Sequence, residues 1–413
     1  MVYNMEQLAI SSFSELSDKM EKPVDRSVGV ILPAAGNGER MGVTIPKQFC
    51  KILGRPLIQY TVEAFLRFSW IKQVVVVAAS DRMDLMKETL AGLDSGNYGR
   101  LRMVSGSSSR HRSIQAGLKA LASSENSPDI VVIHDGVRPL VPPEILIEVV
   151  CAAKDYGAAG AVRPLVSTVL RSDEMGFMEE ALDRSQYCAS EMPQAFVLSL
   201  IKEAYNMCSD HDLDYGTECL HLVQKYMGLK PRLIEGTADL WKVTHRKDLY
   251  AAETTVKERR RVHLVAQDID LCLLEQILLA LKERFSEVQV CEDTIVQTPP
   301  CHLVRVHNGI FLTDVLSETE AWVKALSPCV QPSSLVSIVT KTDINENGYP
   351  STVALQARAQ AIANMARNWN ITIFFIFSPY QAISPRTCED ISKKTAYLLF
   401  EESDILSGQI IYV

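Results

Sequence analysis

The sequence lacks the patterns that mark several large protein classes. Its ten cysteines are scattered along 413 residues without a CxxC pair or a paired spacing to histidines, which indicates reduced thiols rather than a disulfide framework or a zinc site. No apolar run reaches the roughly 18 residues that a membrane helix needs. An excess of basic residues is also missing, because the formal net charge is -8. These absences argue against a disulfide-rich secreted protein, a membrane-spanning protein and a nucleic-acid-binding protein.

The composition that is present is that of an ordinary globular protein, with 47% hydrophobic and 22% charged residues. Residues 1–26 contain no charged segment followed by an apolar core, so they predict an N-terminal tail and not a secretory signal. We therefore expect a cytosolic protein with two domains, over residues 27–260 and 261–413.

Both predicted domains alternate short apolar runs with helical stretches. In the first domain, the strand candidates are 28–32, 73–80, 129–135 and 158–165, and the helix candidates are 57–68, 112–124 and 142–157. The second domain has candidates at 274–285, 334–341, 354–370 and 371–377. This order predicts a doubly wound, mostly parallel α/β sheet of Rossmann-like type, followed by a second α/β unit. In such sheets, ligands bind beyond the carboxyl ends of the strands.

The first strand candidate leads into the glycine-rich turn PAAGNG, residues 33–38. Gly36 and Gly38 let the backbone approach a ligand without hindrance from Cβ atoms, so its amides could hold a phosphate or a base edge. The turn is not a Walker motif, because no GKS or GKT follows. It is not the dinucleotide fingerprint either, because the third glycine of GxGxxG is missing. Taken alone, such a turn is more often a plain strand-to-loop connection.

Two cations follow the turn and change its interpretation. Arg40 and Lys47 lie just beyond it, and Pro46 stiffens the loop that carries the lysine. Cations beside an amide-lined turn suit a polyphosphate whose negative charge grows in a transition state. Either cation alone could equally be a solvated surface charge.

Asp135 lies where the strand candidate 129–135 ends, in VVIHDGVRP. A carboxylate in that place commonly holds Mg²⁺ against phosphate oxygens, although it could also be a turn residue. Arg138 follows closely and could pair with a phosphate or brace the loop. We expect His134 to be a packed structural residue.

A serine-rich turn, GSSSRHRS (106–113), leads into the next predicted helix. Hydroxyls and amides at a helix start favour anions or base edges, although simple capping explains the stretch as well. Ser113 lies in the first turn of that helix. Taken alone, the local sequences around Arg184 (ALDRSQY) and Lys242 (DLWKVT) do not indicate a functional role for either residue.

Together, these motifs point to one family. LPAAGxGxRM…PKQF, HDxxRP, DR, MPQAF and EG…D…KVT, in this order, resemble the sugar-phosphate cytidylyltransferases typified by the methylerythritol-phosphate enzyme of isoprenoid synthesis. The resemblance covers roughly residues 27–257. With its extra C-terminal domain, the chain also resembles the animal branch of this family, which makes CDP-ribitol for the dystroglycan O-mannosyl glycan. This implies a homodimeric transferase that joins CMP from CTP to D-ribitol 5-phosphate, with Mg²⁺ as cofactor.

The resemblance also implies a role for each candidate residue. The groups that would contact the cytidine part of CTP are those of Ala34, Ala35, Gly36, Asn37, Gly38, Ser107 and Ser113. The catalytic cations around the CTP phosphates would be Arg40, Lys47 and Lys242, and the Mg²⁺ ligand would be Asp135. The acceptor side would be lined by Arg138, Thr168 and Met192. Arg184 would lie on an arm that reaches into the partner subunit and grips the acceptor phosphate.

The chain departs from the family pattern at two places. Met192 stands where bacterial and plant members usually have a threonine that faces the acceptor, and the lost hydroxyl indicates a different polyol phosphate. The segment before RxxS is rich in serine here, where the family has glycine.

The second domain resembles the Tyr-xxx-Lys region of short-chain dehydrogenases over residues 347–376. Val353 stands where the lysine after Tyr349 would be, and no glycine-rich turn follows Val262. We therefore expect a degenerate, non-catalytic Rossmann-like domain used for dimerisation or stability.

Three alternatives stay open. The same chemistry could act on methylerythritol, ribulose, ribose or glycerol phosphate. The chain could also be a catalytically inactive nucleotide-binding scaffold, or an oxidoreductase built on the second domain. Pyrophosphate release tests the first two alternatives, and a titration with NADPH tests the third.

Overall fold

A computed structural model describes the chain in several stretches. They are residues 25–36, 41, 45–94, 99–124, 126–266, 270–291, 301–308, 312–324, 334–340, 352–367, 371–378, 384–401 and 406–413. The chain forms two compact units that divide between Glu253 and Thr254. Among the described helices, none has the length and apolar character that crossing a bilayer requires.

The first unit is built on a seven-stranded sheet with two small antiparallel sheets beside it. Its strands are β1 (Val28–Ala34), β2 (Lys51–Ile52), β3 (Arg55–Pro56), β4 (Ile71–Ala78), β5 (Leu101–Ser105), β6 (Ile130–Ile133), β7 (Ala158–Pro164), β8 (Val169–Ser172), β9 (Met178–Leu182), β10 (Cys188–Val197) and β11 (Arg232–Glu235). The order across the large sheet is β11-β7-β10-β6-β1-β4-β5. Only β10 runs antiparallel to its neighbours in this sheet. The predicted mostly parallel α/β fold is confirmed.

Helices cover both faces of this sheet. They are α1 (Leu57–Leu66), α2 (Met83–Asp94), α3 (Arg110–Ala122), α4 (Pro143–Tyr156), α5 (Leu198–Met207), α6 (Asp210–Tyr215), α7 (Cys219–Met227) and α8 (Arg246–Glu258). Short 3₁₀ helices lie at Lys47–Phe49, Ser80–Arg82, Arg184–Gln186 and Ala238–Leu240. The division between the two units falls inside α8, shortly before the predicted boundary after residue 260.

The central strands are apolar on both faces because both faces are covered. In β1, Val30 and Leu32 belong to one hydrophobic core, whereas Ile31 belongs to the other. Such strands read as continuous apolar runs instead of alternating ones. This explains why β1, β4 and β6 stand out in the sequence.

The sheet reverses its winding between β1 and β6. From β1, the chain continues to β4 and β5 on one side, and it then crosses to β6 on the other side of β1. The carboxyl ends of two adjacent parallel strands are left without a covering crossover at such a point. The turn after Ala34 and the turn after Ile133 meet there.

A hairpin formed by β8 and β9 pairs as its own two-stranded sheet. Its apolar side chains are largely exposed, among them Met175 and Phe177. We call residues 166–187, which comprise this hairpin and its flanks, the arm.

The second unit is a parallel sheet with helices between most of its strands. Its strands are β12 (Arg261–Ala266), β13 (Glu287–Cys291), β14 (Cys301–Asn308), β15 (Ser334–Thr340), β16 (Thr372–Ser378) and β17 (Ile410–Tyr412). Its helices are α9 (Leu271–Lys282), α10 (Leu312–Lys324), α11 (Thr352–Arg367) and α12 (Pro385–Glu401). The strand order is β13-β12-β14-β15-β16-β17, with parallel pairing throughout. The second α/β unit is thus present. Tyr349 lies outside the described residues.

Candidate active site

The glycine-rich turn begins at the carboxyl end of β1 and is held by a buried glutamine. Gln48 Nε2 donates to the backbone oxygens of Ala34, at 2.8 Å, and of Gly36, at 3.2 Å. Gln48 belongs to the short helix that also contains Lys47. The two bonds therefore fix the lysine-bearing segment against the start of the turn. Asn37, Gly38 and Arg40 lie outside the described residues.

The serine-rich turn packs directly against the glycine-rich turn. A Cβ atom on Gly106 would lie 2.8 Å from Cβ of Ala35 and 3.0 Å from Oγ of Ser113. The approach requires glycine at position 106, because real Cβ contacts are longer than this. Ser107 donates its backbone N–H to Ser113 Oγ at 3.1 Å, so both predicted serines belong to the same turn.

Asp135 lies beyond the end of β6 and is surrounded by three cations. Its Oδ2 is 3.0 Å from Lys242 Nζ and 3.1 Å from Arg138 Nε, and its Oδ1 is 3.5 Å from a terminal nitrogen of Arg110. We call these four residues the Asp135 cluster. The structure therefore brings together two predicted site residues that are far apart in the chain, Asp135 and Lys242.

The cations decide the charge state of this buried carboxyl group. Burial by itself would raise the pKa of Asp135, but Lys242, Arg110 and Arg138 outweigh burial and hold that pKa well below its usual value. Asp135 is therefore ionised at neutral pH. The Asp135 cluster combines one anionic oxygen ligand with a net excess of positive charge, which suits a bound polyphosphate.

Arg138 is a brace at the base of the cluster. Its side chain is buried, and one terminal nitrogen donates to both Glu191 and the backbone oxygen of Leu240. Val243 donates its backbone N–H to Val137 at 3.1 Å. These bonds tie the segment that carries Lys242 to the turn after β6. Of the two roles expected for Arg138, the geometry favours bracing.

Glu191 and Met192 lie in an irregular part of β10. The strand pairs with β7 in one register up to Ser190 and in a shifted register from Gln194, so residues 191–193 form a bulge. Glu191 is buried and also accepts from Arg163 at 2.6 Å. Met192 is buried too, with 5% of its surface exposed.

Thr168 and Arg184 lie at the base of the arm and not in the Asp135 cluster. Thr168 is exposed and directly precedes β8. Arg184 begins the short exposed helix after β9 and donates to the backbone oxygen of Val166.

Three residues of the site, Arg110, Gln48 and Glu191, are not among those that the sequence predicts. Arg110 was detectable in principle, because it begins the helix that follows the serine-rich turn. Gln48 and Glu191 act through contacts with residues distant in the chain, and nothing in their local sequence signals those contacts.

His134, expected to be structural, is buried with Nε2 3.0 Å from the backbone oxygen of Arg138, and burial lowers its pKa to about 4.

A family model agrees with this site. The model of the family described as 2-C-methyl-D-erythritol 4-phosphate cytidylyltransferase, IspD, matches residues 28–258, more than half of the chain. The chain belongs to this family. The matched residues contain the Asp135 cluster, both turns and the arm, and the predicted family resemblance is confirmed.

Individual cytidylyltransferases are also similar to this chain in sequence. A protein of Xenopus tropicalis named D-ribitol-5-phosphate cytidylyltransferase is 52% identical over 235 residues, which cover 55% of this chain and 56% of that protein. Its namesake in Homo sapiens is 51% identical over 239 residues, which cover 57% of this chain and 52% of that protein. The chain thus spans about half the length of the curated ribitol relatives it matches.

A more distant member of the family matches over its full length. A Caldanaerobacter subterraneus protein named 2-C-methyl-D-erythritol 4-phosphate cytidylyltransferase is 31% identical over 233 residues, which cover 56% of this chain and 100% of that protein. The solved structure of the protein of that name from Thermus thermophilus is 27% identical, with a TM-score of 0.44, and covers 56% of this chain and 99% of that chain.

Proposed function

We propose that this member of the cytidylyltransferase family transfers CMP from CTP to D-ribitol 5-phosphate and releases pyrophosphate. The observation that carries the proposal is the Asp135 cluster at the point where the sheet reverses its winding. The choice of acceptor rests on the relatives named D-ribitol-5-phosphate cytidylyltransferase, which are 51–52% identical to this chain over the matched region. The proposal extends to a cytosolic location and to a supply of CDP-ribitol for dystroglycan glycosylation, as the family resemblance of the sequence implies.

The proposed reaction needs positioning and charge, and no general base. A phosphate oxygen of the acceptor attacks the α-phosphorus of CTP and forms a new P–O bond. The bond from that phosphorus to the bridging oxygen breaks, and pyrophosphate leaves with the electron pair. The acceptor is already an anion, so no proton has to be removed first. Lys47 and Lys242, with Arg40, would stabilise the charge that develops on the phosphates.

The two turns would hold the nucleoside. Backbone groups of Ala34, Ala35 and Gly36, with Asn37 and Gly38, would bind the cytosine and ribose from one side. Ser107 and Ser113 would bind them from the other. The contact of Gly106 with Ala35 keeps these two turns close enough for one small ligand.

Asp135 fits the metal that this family pattern implies. Mg²⁺ is usually held by one or two carboxylates together with substrate phosphates, and Asp135 is an ionised carboxylate beside a cation-rich space. When bound, Mg²⁺ would neutralise phosphate charge. Until then, Arg110, Arg138 and Lys242 keep the carboxylate ionised and oriented.

The acceptor would lie on the side of β10 and the arm. Met192, Thr168 and Arg138 would border it, with Arg138 acting mainly as a brace. Arg184 would come from the arm of a second subunit, so we propose a homodimer with shared active sites. The exposed apolar side chains of the arm support this arrangement, since burial in a partner would remove them from water.

The second unit is proposed to be non-catalytic. Val353 lies exposed on α11, at the position where a dehydrogenase would need its lysine. We expect a titration with NADPH to leave both the absorbance spectrum of the cofactor and the stability of the protein unchanged. Binding of NADPH would revive the oxidoreductase alternative.

The deciding experiment measures pyrophosphate release with CTP and Mg²⁺ against a panel of acceptors. The panel contains ribitol, methylerythritol, ribulose, ribose and glycerol phosphates, and UTP serves as the nucleotide control. We expect the fastest release with CTP and ribitol 5-phosphate. Release with only one of the other acceptors would support CMP transfer as the reaction but would replace ribitol 5-phosphate as the proposed acceptor. Binding of CTP without release from any acceptor would favour the scaffold alternative.

Lys242→Ala is expected to lower kcat by roughly 100- to 1000-fold, because one preorganised cation at developing charge is worth that much. The KM for CTP should change far less, because the lysine acts mainly on the transition state. Steady-state kinetics measures both values. Lys247→Ala, an exposed lysine five residues later, should behave like wild type. A change confined to KM would assign Lys242 to ground-state binding.

Arg184→Ala is expected to raise the KM for the acceptor at least about tenfold, as loss of a charge-assisted hydrogen bond would do, with little effect on CTP. Arg171→Ala is the matched control, because Arg171 lies on the same arm and pairs with Glu179 and Glu180.

If each site is shared, mixing Arg184→Ala with Asp135→Asn subunits restores activity, since one site of the mixed dimer has both residues. The mixture is assayed at an acceptor concentration near the wild-type KM, and activity no higher than the average of its two components contradicts the shared site.

A further inference from the structure

The second unit brings two thiols and a carboxylate together beside the N-terminal ends of α9 and α12. Cys272 is the second residue of α9, and Cys388 is the fourth residue of α12. Asp270 directly precedes α9. One ligand atom from each of the three residues lies within 4.8 Å of the other two. We call these three residues the dithiol site.

We propose that the dithiol site binds a thiophilic divalent cation of the zinc class. Zinc takes thiolate sulfur at about 2.3 Å and carboxylate oxygen at about 2.0–2.2 Å, so tetrahedral ligands lie about 3.5–3.8 Å apart. The ligands are therefore within a movement on the order of 1 Å of that geometry. Three protein ligands leave a fourth position for water.

The carboxylate is held in place by the start of α9. Asp270 Oδ1 accepts the backbone N–H of Cys272 at 3.0 Å and that of Leu273 at 3.3 Å. This N-cap fixes the carboxylate beside the sulfur of Cys272. The positive end of the helix dipole also lowers the cost of gathering anionic ligands there.

The two thiols differ in their access to solvent, as the ligands of a site open to ions on one side would. Cys388 is fully buried in the core that also contains Leu273 and Ile391. Cys272 is exposed. A buried ligand anchors the site on packed helices, because α9 and α12 pack against each other, and the exposed ligand leaves a path for the ion.

Cation binding at this site must release protons. Cysteine binds cations of this class as the thiolate, so each of the two thiols must lose its proton when the ion binds. Binding breaks two S–H bonds, forms two sulfur–metal bonds and releases two protons to solvent. The affinity for the cation should therefore rise with pH.

The test uses the reduced full chain, cleared of metal with a chelator, and titrates it with Co²⁺. We expect one ion per chain, sulfur-to-cobalt charge-transfer absorption, about two protons released, and displacement by Zn²⁺. Cys272→Ser should lower the affinity more than about 100-fold, since loss of an outer-shell partner alone costs 10- to 100-fold. Cys272 is exposed, so this variant should keep the fold. Asp270→Asn should weaken binding, and Cys151→Ser in the first unit should not.

Three results would overturn the proposal. Cobalt binding that is equal in wild type and Cys272→Ser places the ion elsewhere. Failure to bind cobalt shows that the thiols are only packed together. A Cys272–Cys388 disulfide that forms with a mild oxidant, in a chain that binds no cation, assigns the pair to redox chemistry. None of these readouts depends on CMP transfer.

Discussion

Replacing Asp135 with asparagine is expected to lower the rate of CMP transfer by about 1000-fold or more, because the change removes the proposed metal ligand and the anion that organises three cations. The amide keeps the shape of the side chain but cannot offset Lys242, Arg110 and Arg138. Pyrophosphate release at saturating CTP and acceptor measures the loss. Asp155→Asn, an exposed carboxylate on α4, is the control and should retain full activity.

The same variant distinguishes a metal role from a purely electrostatic one. If Asp135 binds Mg²⁺, the residual activity of Asp135→Asn should respond only weakly to Mg²⁺ concentration, whereas wild type should saturate. CTP binding measured without metal should change much less than activity. Residual activity within tenfold of wild type would remove Asp135 from the proposed mechanism.

Arg138→Leu is expected to cost the first unit about 3–5 kcal/mol of unfolding free energy, the usual result of removing one partner of a buried ion pair. Two buried carboxylates, those of Asp135 and Glu191, would each lose a cation. Urea unfolding followed by circular dichroism measures the effect. The second unit serves as an internal reference, because its own transition should not move.

Arg163→Leu is the matched control for Arg138→Leu. Arg163 also bonds Glu191, but its side chain remains 31% exposed, so water can partly replace it. Its loss should cost no more than about 1 kcal/mol of unfolding free energy. Equal losses from the two variants would contradict bracing by Arg138. Normal stability of Arg138→Leu with a raised KM for the acceptor would return Arg138 to direct substrate binding.

The sequence predicts a strand where the burial of that strand leaves a pattern in its own residues. Strands buried on both faces are continuous apolar runs, so β1, β4 and β6 were recognised from the sequence. β10 was not recognised, although it lies in the middle of the sheet, because its first half is polar and its bulge interrupts the pattern. The β8–β9 hairpin was missed as well, since exposed strands of mixed composition carry little periodic signal.

Site residues were predictable from the sequence where the residue type and its place after a strand together indicate a function. Asp135 and the glycine-rich turn stand out at the ends of apolar runs. Lys242 gained a role only through the family resemblance, and the backbone bond from Val243 to Val137 shows what places it beside Asp135. Cys272 and Cys388 are too far apart in the chain for any spacing rule, so only the packing of α9 on α12 brings them together.

The bulge in β10 has a consequence for how this protein family can diversify. Residues 191–193 are excluded from the regular pairing with β7, whereas the residues on either side keep it. Selection can therefore alter the side chain at position 192 without realigning the strand or the arm that precedes it. Glu191 is less free to vary, because two arginines depend on it. If Met192 borders the acceptor as we propose, single substitutions at position 192 would change the acceptor preference while the Asp135 cluster stays unchanged.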